Sequence, residues 1–204
     1  MSIINKAIAS TGFAGIKVNI YLDDAKVCKG CQVNGFLNIT GGKFEQKVTR
    51  VFLSLKTVID INEDNSESEK HIELLKLDIA KNITIKPEDG ITIPFSFILP
   101  YDTPVSFNNN TIWLEAGMDI KIQSEKSYIK VIPHPFMQRI LEVLQTELKF
   151  VLTKNENIYV PNNGSHLPIV QVFEFNALSH VAKGLEEIKM MFFVDDLRDW
   201  KSVV

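Results

Sequence analysis

Cysteine is scarce in this sequence of 204 residues, which contains only two. Two thiols cannot build the disulfide framework of a small secreted domain, and their number suits a reducing cytosol. No stretch approaches the roughly 20 apolar residues of a transmembrane helix. The apolar run at the N-terminus is broken by Asn5 and Lys6, so it does not resemble a secretory signal. We therefore expect a cytoplasmic protein with no integral membrane segment.

An excess of basic charge is also missing. The chain has 22 basic and 25 acidic residues and a net charge of −3, which argues against binding to nucleic acid or to an anionic membrane. Glycine and proline are modest at 10 and 8, so the chain is not of low complexity. Its hydrophobic fraction of 45% is enough for one large domain or two small ones with true cores.

Motifs of catalysis and cofactor binding are absent from the sequence. It contains no GxSxG, no GxGxxG and no P-loop. Its four histidines, His71, His134, His166 and His180, are scattered along the chain. We expect His134, which lies between two prolines at a helix start, to make a capping or inter-lobe hydrogen bond. The sequence therefore predicts a protein that is not an enzyme and has no cofactor or metal.

What the sequence does contain is a succession of strand patterns. The clearest is Ile91–Leu99, where apolar residues alternate with others to give one strongly apolar face. Pro94 cannot donate to a ladder, so we expect an edge strand or irregular pairing there. Trp113 lies in a predicted strand and is expected to pack in the core or on the second face of its sheet. Turn residues separate the strands, which predicts an antiparallel sandwich. The predicted strands are Ile16–Leu22, Val33–Ile39, Lys47–Asp60, Ile72–Ile83, Ile91–Leu99, Thr111–Ile122 and Ser127–Ile132.

A boundary follows at Ile132-Pro133-His134-Pro135, since prolines disfavour the interior of strands and helices. Apolar residues at three- and four-residue steps then predict an amphipathic helix over 136–147. The predicted domains are thus residues 1–132 and 133–204. The exposed apolar face of the second sheet needs a covering layer, which the helix, the first lobe or a partner chain could supply. The predicted strands of this part are Leu148–Leu152, Ile158–Val160, Leu167–Phe175 and Leu185–Val194.

Two surface features are candidates for contact with a partner protein. Glu63, Asp64, Glu67 and Glu69 make an acidic tip between two long strands, although a solvated hairpin loop is the simpler interpretation. Trp200 is an isolated aromatic residue in the polar C-terminal tail, where it could anchor the tail or contact a partner.

The N-terminal residues 2–9 have helical spacing. They predict a short amphipathic helix that packs on the body of the protein, with membrane-surface binding as an alternative.

Cys28-Lys29-Gly30-Cys31 is the one motif with a chemical name. A redox CxxC works best at a helix N-terminus, whereas this pair is predicted in a turn between two strands. A zinc site needs four ligands, and the sequence has no second cysteine pair. The pair is therefore interpreted as incidental, with thiol-redox or metal-binding activity as the alternative function.

Several segments resemble the bacterial sporulation-control protein family (sporulation stage zero, protein M). The stretch IPFSFILPYDTP resembles the family's "IPFSFxLPxxTP" signature, and the other matches occur in the family's order over about residues 12 to 194. Two departures stand out: members usually continue well past the last matching strand, and the family's "PGE" turn is here Lys29-Gly30-Cys31. The other matching segments are Gly41–Leu55, the stretch around Trp113, Pro133–Pro135, Leu167–Phe175 and Leu185–Phe193.

The resemblance implies two arrestin-like antiparallel β-sandwich lobes joined through one short helix, with an abbreviated second lobe as an alternative. It also implies a cytoplasmic, non-enzymatic regulator of sporulation and cell division. We expect such a protein to act as a scaffold that binds other proteins through a strand edge or a sheet face. Self-association is a further expectation, because an unpaired edge or uncovered apolar face favours a partner chain.

Overall fold

The computed structural model describes residues 15–63, 66–107, 110–160, 167–178, 184–196 and 199–203, with the backbone alone at 60–63, 66–68, 194–196 and 199–203. The predicted mainly-β class is confirmed. The predicted helix at residues 2–9 lies outside the described residues. The strands are β1 (Ile16–Leu22), β2 (Lys26–Cys28), β3 (Gln32–Thr40), β4 (Gln46–Glu63), β5 (Ser66–Ile85), β6 (Gly90–Ile98), β7 (Ile112–Met118), β8 (Ile122–Ser124), β9 (Ser127–Ile132), β10 (Phe150–Tyr159), β11 (Ile169–Ala177), β12 (Glu187–Asp196) and β13 (Asp199–Val203).

The first nine strands form two facing sheets. One has the order β6-β3-β1-β8 and the other the order β2-β9-β7-β4-β5. Alternate side chains of each sheet point inward and share one buried apolar core, as the period of two requires. Leu37 and Ile39 come from the first sheet, and Leu53, Leu55 and Leu114 from the second. The predicted sandwich is therefore present in this part of the chain.

The stretch that stood out in the sequence is strand β6 and its end. Phe95, Phe97 and Leu99 are buried, whereas Ile98 on the opposite face is 56% exposed. The strand lies at the edge of its sheet and pairs only with β3 among the described strands, with Pro94 opposite Phe36. The edge position expected from Pro94 is confirmed, since the missing N–H there faces no neighbouring strand.

Two pairings in the sandwich are parallel, which the strand pattern did not predict. The predicted single strand Thr111–Ile122 is wrong, because the chain leaves β7 after Met118 and enters the other sheet as β8. There β8 pairs in parallel with β1, and the short strand β2, which the sequence did not predict, pairs in parallel with β9. Three residues give too short a pattern for periodicity to detect.

The second part of the chain is one antiparallel sheet with a helix on one face. Its strands have the order β10-β11-β12-β13, and helix α1 (Pro135–Glu142) is followed by a π-helical turn, Val143–Glu147. Met137, Leu141 and Leu144 pack against Phe173 and Phe175 of β11. The helix therefore supplies the covering layer that the sequence required. No helix within the described residues is long and apolar enough to cross a membrane.

The strand predictions were less accurate in this part. Leu148–Leu152 and Ile158–Val160 are not separate strands but parts of β10, which is continuous through an irregularity between Leu152 and Lys154. That irregularity breaks the period of two and made one strand look like two. Strand β13 was not predicted, and it pairs with β12 around Trp200. The helix that begins at Pro135 carries His134 as its N-cap, where Nδ1 accepts from the N–H of Phe136 at 3.3 Å, so the capping prediction is confirmed.

The connection between β6 and β7 holds the two parts together. Val105 is 1% exposed and belongs to the core under the helix. The side chain of Gln171 on β11 accepts from the N–H of Val105 at 2.7 Å and donates to its C=O at 2.8 Å. Asn155 of β10 joins the same group, since it accepts from Gln171 at 3.1 Å. Because the parts share these buried contacts, the domain division at residue 133 stays a prediction.

One buried charge lies where the two parts meet. Lys29, in the turn after β2, is only 4% exposed, and its backbone N–H donates to the C=O of Ile132 at 3.4 Å. Desolvation by burial lowers the pKa of Lys29 from 10.5 to about 8, although the nearby charge of Asp102 acts in the opposite direction. Burial of the charged Lys29 amine therefore lowers the free energy of unfolding of the protein.

We predict that Gln171→Leu lowers the free energy of unfolding by about 2 kcal/mol, because the buried N–H of Val105 loses its acceptor. The C=O of Val105 keeps the N–H of Phe107 as a donor, which limits the loss. Urea denaturation measures the change, with Gln138→Leu on the exposed side of α1 as the matched control. Equal effects of the two substitutions would contradict a stabilising role of the hydrogen bonds between Gln171 and Val105.

We predict that Lys29→Met raises the free energy of unfolding by up to about 3 kcal/mol at pH 7, the equivalent of the pKa shift. The folded state binds its proton less tightly than the unfolded state, so wild-type stability rises between pH 8 and 10.5. The gain from Met is full below pH 8 and fades above it. Urea denaturation at two pH values, with the exposed Lys26→Met as control, tests this, and a pH-independent gain would refute it.

Candidate functional site

Strand β1 has an open side that no pattern in the sequence indicates. The parallel strand β8 covers it only from Ile16 to Val18, and the chain then turns away through Glu125 towards β9. No other strand of the described residues pairs with this side of β1. Within the described part of the chain, the remaining length of β1 therefore has one side without a neighbouring strand.

The backbone groups on that side can be identified from the ladder. The N–H of Asp23 donates to the C=O of Asn34 on β3 at 3.1 Å. Hydrogen-bonded pairs alternate in an antiparallel ladder, so Tyr21 and Asn19 also direct their backbone groups to β3. The N–H and C=O groups of Ile20 and Leu22 consequently point to the open side.

A recess of about 390 Å³ lies along this open side, and a second recess of about 470 Å³ adjoins it beside β8. Asn19 and Glu125 line both of them. Lys126 lies in the first recess, and its Nζ is 4.1 Å from the centre of the Trp113 ring, which fixes the cation beside the groove. Trp113 itself is 1% exposed, and its ring contacts His71 and Lys126, so its predicted burial is confirmed. The lining is polar and of mixed charge, which suits main-chain recognition better than an apolar ligand.

A stacked aromatic pair lies beside the groove on the outer face of the same sheet. Tyr21 and Phe36 have ring centroids 4.9 Å apart and are 45% and 36% exposed. A peptide in the groove would run alongside Tyr21, whose ring gives apolar contact at little cost in entropy. The groove and this pair make the part of β1 that follows Val18 the candidate interaction site.

The predicted acidic tip lies far along the chain from this groove and is not joined to it by any described contact. Residues 63 and 66 pair across the turn that connects β4 and β5, so the predicted hairpin is confirmed. Glu69 is exposed and faces residue 60, while Asp64 and the side chains of Glu63 and Glu67 lie outside the described residues. Trp200 lies in β13, with its side chain likewise outside them. A role of these five residues in binding stays a prediction.

The cysteine pair occupies the turn between β2 and β3, as predicted, and its two sulfurs are bonded as the Cys28–Cys31 disulfide. Both residues are half-buried. Gly30 between them has φ of +73°, and a Cβ there would lie 2.2 Å from the Tyr101 ring, so only glycine fits the turn. Within the described ranges, no three His, Cys, Asp or Glu side chains cluster so as to hold a metal ion.

The comparisons with known proteins agree with this architecture. The family model described as SpoOM protein matches residues 4–198. The sporulation-control protein spo0M of Bacillus subtilis strain 168 is 30% identical over 200 residues, which cover 96% of this chain and 77% of that protein. The crystal structure of Spo0M, the sporulation control protein from Bacillus subtilis, superposes with a TM-score of 0.82 at 28% identity, over 89% of this chain and 76% of that one. The chain belongs to the Spo0M family of sporulation-control proteins.

Proposed function

We propose that this protein is a non-enzymatic, cytoplasmic regulator of sporulation and cell division that acts as a protein-binding scaffold. Membership of the Spo0M family supports the role in sporulation. The open side of β1 supports the mode of action. A strand with unpaired N–H and C=O groups on one side is a template for an extended segment of another protein.

The occupant we propose is an extended peptide segment of a partner protein that adds to β1 beyond Val18. The outward backbone groups of Ile20 and Leu22 would supply main-chain hydrogen bonds. Side chains in the recesses beside Asn19 and Lys126 would supply the selectivity. This mode uses no nucleophile, cofactor or metal. A second copy of the chain is the competing occupant, and the mass in solution distinguishes it from a different protein.

We predict that Asn19→Trp abolishes partner binding without unfolding the protein, because the indole projects from a position that lines both recesses and obstructs the groove, while β1 keeps its pairing with β3. Asn38→Trp is the matched control, since Asn38 lies directly opposite Asn19 on β3 and away from the groove. Partners are captured from the native cell with the wild type and each variant and are identified by mass spectrometry. Retention of every partner by Asn19→Trp would remove β1 as the binding edge.

In a spore-forming host whose own gene is deleted, wild type and Asn38→Trp should restore heat-resistant spore counts, and Asn19→Trp should not. Restoration by Asn19→Trp would separate the regulatory role from the β1 edge.

The acidic tip is tested in the same capture experiment. Substitution of Glu63, Asp64, Glu67 and Glu69 by Lys reverses the charge of the tip, and a solvated hairpin loop predicts unchanged capture. Loss of a partner in this variant, but not in Asn19→Trp, would assign docking to the tip instead. Trp200→Ala tests in the same way whether Trp200 on β13 contacts a partner.

A further inference from the structure

The Cys28–Cys31 turn is bonded to the start of two connections that contact the second part of the chain, one that runs from β6 to β7 and one that runs from β9 to α1. The N–H of Gly30 donates to the C=O of Leu99 at 2.9 Å, and the N–H of Leu99 donates to the C=O of Cys31 at 2.9 Å. The N–H of Lys29 donates to the C=O of Ile132. Leu99 directly follows β6, and Ile132 is the last residue of β9. The turn therefore lies at the common origin of two connections.

Each connection leads directly to a contact between the two parts. From Leu99 the chain runs to Val105, which Gln171 of β11 clamps through two hydrogen bonds. From Ile132 it runs to His134, which caps α1. The rings of Tyr101 and His134 lie 6.3 Å apart, so the two connections also approach each other beside the turn. The turn therefore lies next to both connections that contact the second sheet.

We propose that Cys28–Cys31 is a reversible thiol–disulfide site that fixes the attachment of the two parts of the molecule. Its co-reactant is a dithiol of the thioredoxin or glutaredoxin class. One thiolate of the dithiol attacks one sulfur of the pair, forms a mixed disulfide and displaces the other cysteine as a thiolate, which takes up a proton. The second thiol of the donor, as its thiolate, then attacks the donor sulfur of the mixed disulfide and displaces the remaining cysteine as a thiolate, which is protonated in turn. The protein gains two electrons and two protons, and the donor leaves as its disulfide.

Three observations support a reversible site rather than a permanent crosslink. The two cysteines are half-buried rather than enclosed, so an external thiolate can approach. The bond closes a turn of only four residues, where a crosslink constrains the unfolded chain least. The turn also contains Lys29, which is only 4% exposed, and the burial of its amine lowers the stability of the folded turn. Disulfides of cytosolic proteins are usually transient, which agrees with the proposed location.

The first experiment asks whether the site exists. The 204-residue protein is equilibrated without denaturant in buffers with a graded ratio of oxidised to reduced dithiothreitol. Free thiols are then trapped with a maleimide, and mass spectrometry counts the labels. We expect a complete, reversible conversion between a form with no free thiol and a form with two. Either persistent thiols under fully oxidising conditions or reduction that requires denaturant would overturn the proposal.

The second experiment asks whether the site controls attachment. Hydrogen exchange of the amides of Lys29, Gly30 and Leu99 should accelerate at least about tenfold on reduction, while the core amides of Leu53 and Leu55 stay protected. The double variant Cys28→Ser, Cys31→Ser should exchange like the reduced protein in every buffer. Equal exchange in oxidised and reduced protein would leave a disulfide with no effect on attachment and would refute that part of the proposal.

The redox and partner-binding proposals fail independently. Partner capture by Asn19→Trp depends on the open side of β1 and is measured at fixed redox state. Exchange at Gly30 depends on the turn and requires no partner.

Discussion

The apolar interior between the two sheets of the sandwich is the constraint on which the rest of the structure depends. Alternate residues of β3 and β6 face alternate residues of β4 and β7 across it, and most of these side chains are almost completely buried. A shift of one residue in any of these strands would turn its apolar set outward, so burial fixes the register of the whole sandwich. With the register fixed, the connections leave the sheets at defined points, and two of them meet at the Cys28–Cys31 turn.

The second sheet depends on the first through fewer and more polar contacts. Its own core lies beneath α1, but Val105 enters that core from the connection between β6 and β7. Gln171 binds both backbone groups of Val105, and Asn155 bridges Gln171 to Asn110. In a separate contact between the two parts, Nζ of Lys70 on β5 lies 4.2 Å from the centre of the Tyr159 ring on β10. Polar contacts of this kind are directional, so they hold one relative placement of the two parts rather than a range of them.

The sequence predicted the parts of the fold in which one face is buried and the pattern is long enough to detect. Strand β1 was predicted with its observed ends, and β6 with its edge position. The helix was predicted because its apolar residues recur at helical steps and proline precedes it. Prediction from the sequence failed for β2 and β8. Each has only three residues and is held by pairing with a strand distant in sequence. Prediction also failed for β10, where the irregularity after Leu152 interrupts the alternation.

The candidate site was beyond the reach of sequence patterns for a related reason. The edge of β1 is open because its neighbour β8 pairs only with residues Ile16 to Val18. The sequence around Asn19 and Ile20 contains no pattern that depends on the length of β8. The cysteine pair was visible, and its position in a turn was predicted correctly. What the sequence could not reveal is that Leu99 and Ile132 lie against that turn, because both contacts join segments far apart in the chain.

The two parallel pairings also determine the order in which the molecule can assemble. Hairpins such as β4–β5 join neighbouring segments, so they close small loops and can form early. By contrast, β8 reaches β1 and β9 reaches β2 only after nearly the whole sandwich has been synthesised. Until then the full length of β1 is an exposed template on the growing chain. During synthesis, therefore, the segment most vulnerable to pairing with a wrong partner is the same segment that we assign to pairing with the right one.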